Sequence, residues 1–318
     1  MRILKFGGKS LGSIKKTQKI CKYIKKIYEK DKKIIVVVSA MGSTTDNLIE
    51  LVNSFNPQKN APREFDSLLS TGETLSSSVV SIILLSMGVP AKSFQAWQTK
   101  INTHGVFQNS LITSIEKETL DECLKSNTIA VVAGFQGINK NGDITTLGRG
   151  GSDTTACALG AIYNTNVELY SDFNGMFSCD PREISTKKLS SISFEQLDRS
   201  TSNGAKIVSN RAVKLAKEEN VNLILKSSSK PSLKGTIANN LEKENTLIST
   251  NSNLCQISVD ISNESKTKTF IKNVLIWLKN YKIYNLDLKN KEIKLLINQS
   301  DKDEILKILC KKLNILKS

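Results

Sequence analysis

The sequence predicts an α/β protein: a three-layer αβα sandwich followed by a small α+β module of βαββα type. Two observations carry this. Short, continuous, β-branched runs (Lys33 to Ser39, TIAVVA at 128–133, NVELYS at 166–171) alternate with amphipathic stretches. Unbroken apolar strands of this kind suit a parallel sheet covered on both faces. After residue 227 the texture turns polar, and residues 254–318 then read strand, helix, strand, strand, helix. At 318 residues there is room for one large domain and one small one, with an expected division into 1–248 and 249–318.

In order along the chain, RILKF at 2–6 reads as a strand and 12–30 as a helix. A second strand follows at Lys33 to Ser39, then a long helix at 66–87 closed by Gly88-Val-Pro. Strands at 128–133 and 166–171, helices at 152–163 and 203–219, and a strand VNLILK at 221–226 complete the large domain. Residues 227–252, with SSSKPS and KGT, read as a linker. Beyond it, a helix at 264–280 puts Phe270, Ile271, Val274, Leu275 and Leu278 on one stripe. EIKLLIN places Ile293, Leu295 and Ile297 on one strand face. Asp301 with Glu304 has the spacing of a capping box for the last helix.

Composition narrows the function classes. Hydrophobic residues at 39% and charged residues at 24% are ordinary for a globular chain. The longest apolar runs fall well short of the roughly 20 residues of a membrane span, and the N-terminus carries no secretory pattern, so no membrane partner is expected. The six cysteines form no CxxC pair, which offers neither a zinc site nor a disulfide framework and fits a reducing cytoplasm. The net charge of +15 admits a nucleic-acid binder. The preferred reading is lysine spread over solvated helix faces (Lys15, Lys16, Lys19, Lys22, Lys25, Lys26), since aromatics are only 6% and do not interleave with the basic residues. A positive field would equally draw in a nucleotide and a dicarboxylate.

Four segments fall where strands end and helices begin, the edge at which open α/β sheets bind ligands. Lys5-Phe-Gly-Gly-Lys-Ser10 follows the first strand; its paired glycines open backbone N–H groups to an anion within reach of the lysine, although a plain turn would look alike. Thr145-Thr-Leu-Gly-Arg-Gly-Gly-Ser-Asp-Thr154 is the most informative. Three glycines flank Arg149, and Ser152 and Asp153 open a helix, which makes an anion cradle beside a bidentate cation. Ser171-Asp-Phe-Asn-Gly-Met-Phe-Ser-Cys-Asp-Pro-Arg182 reads either as two turns or as a nucleotide-holding segment. Ser39-Ala-Met-Gly-Ser-Thr-Thr45-Asp, with Leu69-Ser-Thr-Gly-Glu73 at an expected helix start, offers hydroxyls and a carboxylate to a small polar ligand, or merely N-caps.

Taken together, KFGGKS, SAMGSTTD, LLSTGE, GFQG (134–137), TTLGRGGSD, SDFNGMFSCDPR and GAKIVSNRAV (204–213) resemble, in order and spacing over roughly 1–240, the aspartate kinases of the amino-acid kinase family. The resemblance implies that family's sandwich fold and an ATP-dependent transfer of the γ-phosphoryl to the β-carboxylate of L-aspartate, giving 4-phospho-L-aspartate for lysine, threonine, methionine and diaminopimelate synthesis. It implies catalytic roles for Lys5, at the transferring phosphoryl, and Asp153, which would organise that lysine. Thr45, Glu73, Arg149, Gly150, Gly151 and Ser152 would bind aspartate. ATP would meet Lys5, Gly7, Gly8, Ser10, Ser171, Asp172, Phe177, Arg182, Lys206 and Ile207. Mg²⁺ would arrive on the phosphates, with no metal ligand assigned to the protein. A cytoplasmic homodimer is expected.

The chain departs from the family pattern at several places. Lys9 stands for threonine, Ser171 for threonine, Asn174 for aspartate, Phe177 for tyrosine, and Ser209-Asn210 for His-Pro. His104, the only histidine, falls in a stretch resembling a substrate-side loop. Family members carry two ACT modules, whereas 249–318 has room for about one, expected to serve dimerisation or stability rather than effector sensing. Two other readings stand beside this one: a sister kinase acting on glutamate or acetylglutamate, and a non-catalytic nucleotide-binding or nucleic-acid-binding protein.

Overall fold

The computed structural model describes residues 1–54, 61–203, 205, 207–240, 245–251, 255–260, 267–289 and 292–315. Its elements run β1 (Arg2–Phe6), α1 (Ile14–Tyr28), β2 (Ile34–Val38), α2 (Thr44–Ser54), α3 (Pro62–Ser86), β3 (Ala91–Phe94), β4 (Ile101–His104) and β5 (Leu111–Ile115). They continue with α4 (Glu118–Lys125), β6 (Ile129–Ala133), β7 (Gln136–Ile138), β8 (Ile144–Thr146), α5 (Gly151–Ile162), β9 (Val167–Ser171), β10 (Ser191–Ser193), α6 (Phe194–Ser202), α7 (Asn210–Glu218) and β11 (Leu223–Ser227). The chain ends with β12 (Thr236–Asn239), β13 (Leu247–Asn251), β14 (Gln256–Asp260), α8 (Thr267–Trp277), β15 (Ile283–Lys289), β16 (Glu292–Ile297) and α9 (Lys302–Lys312). By contacts the chain forms two compact units, Met1–Asn174 with Arg211–Gly235, and Gly175–Asn210 with Thr236–Ser318.

In the first unit, parallel strands run in the order β11-β9-β1-β2-β6-β3. Their side chains alternate between two covered faces, so strand parity decides which layer each residue meets. Leu4, Phe6, Val36, Val38 and Val131 join the core beneath α1 and α3. That face exists because α1 presents Thr17, Ile20, Cys21, Ile24 and Ile27 at helical spacing, and Ser13 caps it by accepting from the Lys16 N–H at 3.3 Å. Ile3 and Lys5 take the other parity, towards α5. A second sheet, β5-β4-β7-β8, stands apart from the first.

The second unit holds the parallel pair β10-β12 and an antiparallel sheet in the order β13-β14-β16-β15. Ile293, Leu295 and Ile297 all point into its core with Val274 of α8, Leu278 just after that helix, and Ile305 and Leu309 of α9. Cys179 and Ile184 lie in that same core, which groups the 175–210 segment with the C-terminal elements.

Several expectations need correction. The predicted 203–219 helix starts only at Asn210, because α6 ends at Ser202 with Asn203 as its C-cap. The 227–252 stretch contains β12 and β13 rather than linker alone. Leu275 is 46% exposed, since it follows Val274 by one residue and so lies about 100° off the buried stripe. The Asp301–Glu304 capping box does not form. Asp301 already has helical backbone angles and instead accepts from Asn298 and Ser300, each at 3.0 Å. By length and composition α3 alone among the described helices could cross a membrane; half of its most apolar window is buried in the protein, and that helix also buries Asp66 and Glu73.

Candidate active site

Lys5 leaves β1 on the α5 side, and its ammonium meets the Asp153 carboxylate at 2.6 Å, each side chain only 12% exposed. Asp153 lies in the first turn of α5, where free N–H groups and the helix dipole favour an anion. That helix packs closely because it is built from small residues, and Gly151 to Gly160 are all buried. The chain therefore delivers one cation and one carboxylate to a single partly buried point from segments about 150 residues apart.

The loops around this point are held at close quarters. A Cβ on Gly8 would lie 2.5 Å from the Ala40 carbonyl oxygen, so only glycine lets the loop after β1 run against the loop after β2. Ser10, in the 3-10 turn Gly8–Leu11, is buried, and its Oγ has no hydrogen-bond partner. Buried hydroxyls are ordinarily satisfied, so an unpaired one beside a glycine loop suits a ligand oxygen. Gly148 and Gly150 have φ of +74° and +76°, which turns the chain sharply before α5 and leaves Arg149 exposed between them. Arg149 makes no ion pair or hydrogen bond among the described residues.

Glu73 was expected at a helix start, but it lies in the middle of α3, which begins at Pro62. Gly72 is required there because a Cβ would meet the Ala40 Cβ at 2.8 Å. Glu73 is 3% exposed; its Oε1 accepts from the Ala40 N–H at 2.9 Å, and its Oε2 has no partner. Burial pushes this carboxyl up to about 7, against the pull of the Ala40 N–H and of Lys5. Thr45 occupies the first turn of α2, half-buried. Cys157, one turn after Asp153, is fully buried, and its thiol is held un-ionised by burial and by the Asp153 charge.

The sequence reading missed two supports of the arginine loop. Asp66 is fully buried in α3 and accepts from the Thr146 N–H at 2.6 Å, the Thr146 hydroxyl at 3.0 Å and the Gln108 N–H at 2.9 Å. Burial raises its pKa while these three bonds oppose the rise. Arg211 donates to the Ser110 carbonyl at 3.2 Å, to the Leu147 carbonyl and to Asn109 Oδ1. Together they clamp the residues that lead into Gly148. Asp66 stands one heptad before Glu73 on a helix, the one sequence signal that could have flagged it.

Of the expected nucleotide contacts, Ser171 ends β9 and its Oγ accepts from the Phe173 N–H at 3.2 Å; Asp172 follows, half exposed, 3.5 Å from the Lys9 ammonium. Phe177, Arg182 and Ile207 belong to the second unit. There Phe177 bridges Lys188, Arg182 pairs with Asp180 at 2.6 Å, and Ile207 is half-buried. Lys206 lies outside the described residues. His104 ends β4 and is exposed. A groove of about 550 Å³ between β5, α5 and α7 includes none of Lys5, Glu73, Arg149 or Asp153. The chemistry is placed by the convergent side chains, not by that volume.

Comparison with known proteins adds an independent line. Residues 1–227 match the model of the amino acid kinase family. An aspartokinase of Rickettsia felis is 36% identical over 301 residues, which covers 91% of this chain and 74% of that protein. An aspartokinase of Bacillus sp. strain MGA3 is 42% identical over 230 residues, 71% of this chain and 55% of that protein, so the chain spans about half of this second relative. Among solved structures, E. coli aspartokinase III in complex with aspartate and ADP superposes with a TM-score of 0.65 at 21% identity, over 99% of this chain and 84% of that one. This last likeness is one of fold.

Proposed function

This chain belongs to the amino acid kinase family and, within it, to the aspartokinases, and on that premise we propose that its cleft moves the γ-phosphoryl of ATP onto the β-carboxylate of L-aspartate, giving 4-phospho-L-aspartate. The observation that carries the reading is the Lys5–Asp153 pair, 2.6 Å long, at the convergence of the glycine loops.

Aspartate's carboxylate is already a nucleophile, so the reaction asks for placement and charge cancellation rather than a strong base. Lys5 meets the γ-phosphoryl and Asp153 holds its ammonium in place. Gly7 and Gly8 expose backbone to the phosphates, and the unpaired Ser10 hydroxyl donates to a phosphate oxygen. Arg149 grips the α-carboxylate, Glu73 accepts from the substrate ammonium, and Thr45 with Gly150, Gly151 and Ser152 completes the aspartate seat. Ser171, Asp172, Phe177, Arg182, Lys206 and Ile207 are the proposed nucleotide contacts. Among the described residues no three His, Cys, Asp or Glu side chains gather as a metal cage. A Mg²⁺ ion would ride in on the phosphates and screen their charge. We further read 1–248 as the catalytic domain and 249–318 as one ACT-like module serving dimerisation, in a cytoplasmic homodimer at the first step of lysine, threonine, methionine and diaminopimelate synthesis.

Purified protein with ATP, Mg²⁺ and aspartate should yield a product that hydroxylamine traps as the hydroxamate. Folded protein that gives none would end the reading. In Arg149→Ala, loss of a charge-assisted bidentate contact should raise KM for aspartate about 100-fold and leave KM for ATP near its original value. Unchanged aspartate kinetics would remove Arg149 from the substrate seat.

A further inference from the structure

Lys9 stands on the loop between β1 and α1, in the 3-10 turn that carries Gly8 and Ser10. β1 and β9 are neighbouring parallel strands, so the loops that leave their C-terminal ends lie side by side. Lys9 reaches across that gap, and its ammonium lies 3.5 Å from Asp172 Oδ2. Lys16 donates to the Lys9 backbone carbonyl at 3.5 Å, which brings a second ammonium group to this rim. Asp172 does not neutralise Lys9: the two side chains are 48% and 78% exposed, and a pair this open and this long contributes little in water. The same turn brings Gly7 to the catalytic cation, since a Cβ there would lie 3.5 Å from Lys5 Nζ. A second lysine four residues after Lys5, on the opposite flank of the glycine pair, therefore faces the space that a nucleotide's polyphosphate would occupy.

We propose that Lys9 is a second phosphate-binding cation, parked on Asp172 in the free protein and transferred to the β- and γ-phosphate oxygens of a nucleoside di- or triphosphate when it binds. The inference rests on the nucleotide-binding part of the function proposed above, but not on aspartate being the acceptor. A polyphosphate of several negative charges displaces one exposed carboxylate readily, because it offers more oxygens and more charge at the same distance. Threonine, which stands at this position in the family pattern the sequence resembles, has no comparable reach.

The test is calorimetric titration of the full-length protein with ADP and with AMP, for the wild type, Lys9→Thr and Lys9→Arg. Lys9→Thr should weaken ADP binding about tenfold, leave AMP binding unchanged and leave Tm unchanged; Lys9→Arg should restore most of the ADP affinity. In turnover assays KM for ATP should rise by a similar factor while KM for aspartate stays put. Equal ADP binding by wild type and Lys9→Thr would overturn the proposal, as would equal weakening of ADP and AMP, which marks a loop-holding role. The two readings fail separately. Binding that depends on Lys9 without hydroxamate formation would sink only the aspartate assignment. Hydroxamate formation with ADP binding indifferent to Lys9 would sink only the inference.

Discussion

Lys5→Ala should lower kcat at least about 1,000-fold, with far smaller changes in KM, because the lost ammonium acts where charge develops during transfer. The same substitution takes the Lys5 ammonium away from the Asp153 carboxylate, which is only 12% exposed. Breaking a buried pair on one side commonly costs about 3–5 kcal/mol. Here the first turn of α5 softens the loss by favouring an anion, and a drop of roughly 1–3 kcal/mol is expected. Adding Asp153→Asn should recover much of the lost Tm and none of the activity. A double variant that melts no higher than Lys5→Ala would show that the pair's electrostatics do not govern this part of the fold. Activity near the wild-type level in Lys5→Ala would remove the phosphoryl-transfer role altogether.

Glu73→Gln should separate function from stability in opposite directions. In the free protein burial raises the Glu73 carboxyl from 4.5 to about 7, so the folded state keeps a proton that the unfolded chain has already released between those values. The native state then binds more protons than the unfolded one, and this group's contribution to stability falls as pH rises from about 4.5 to 7, then levels off. Glutamine removes the charge and should stabilise the ligand-free protein above pH 7 by roughly 1–3 kcal/mol, with little effect at pH 5. Its amide N–H₂ would inherit the site of the unpaired Oε2, which keeps the gain below the full electrostatic value. Aspartate binding should suffer instead, with KM rising about 100-fold as the ammonium loses its counter-charge. In the wild type, KM for aspartate should fall about fivefold between pH 6 and pH 7 and flatten above, since only ionised Glu73 accepts the ammonium. Melting curves at pH 5 and pH 8, with KM measured across that range, check both halves. A Glu73→Gln protein that melts lower at pH 8 than the wild type would contradict the burial account.

What the sequence made legible follows from how each element is buried. β2 and β6 are buried at every position, and α1 buries every third or fourth residue, so each leaves a plain pattern. The sheet β5-β4-β7-β8 left none: its strands run three to five residues, and β5 is exposed or half-exposed throughout. Leu69 to Glu73 looked like a helix start because Ser, Thr and Gly favour caps, whereas the glycine is there to let α3 pass Ala40. Lys5, Glu73, Arg149 and Asp153 stood out through their glycine-rich surroundings. Asp66 and Arg211 did not, because their partners lie between 42 and 102 residues away and no local pattern reports such contacts.

Asp66 and Glu73 occupy one helix two turns apart, one gripping the strand that feeds the arginine loop and the other proposed to meet the substrate ammonium. Under the roles proposed above, the ammonium and the α-carboxylate would be gauged from a single helix, and their spacing is the same in every α-amino acid. Sliding α3 would drag the arginine loop along with it and keep that grip on the α-carbon. Discrimination against glutamate is then expected from the reach between this grip and Lys5, where the side-chain carboxylate would meet the phosphoryl, and not from the grip itself.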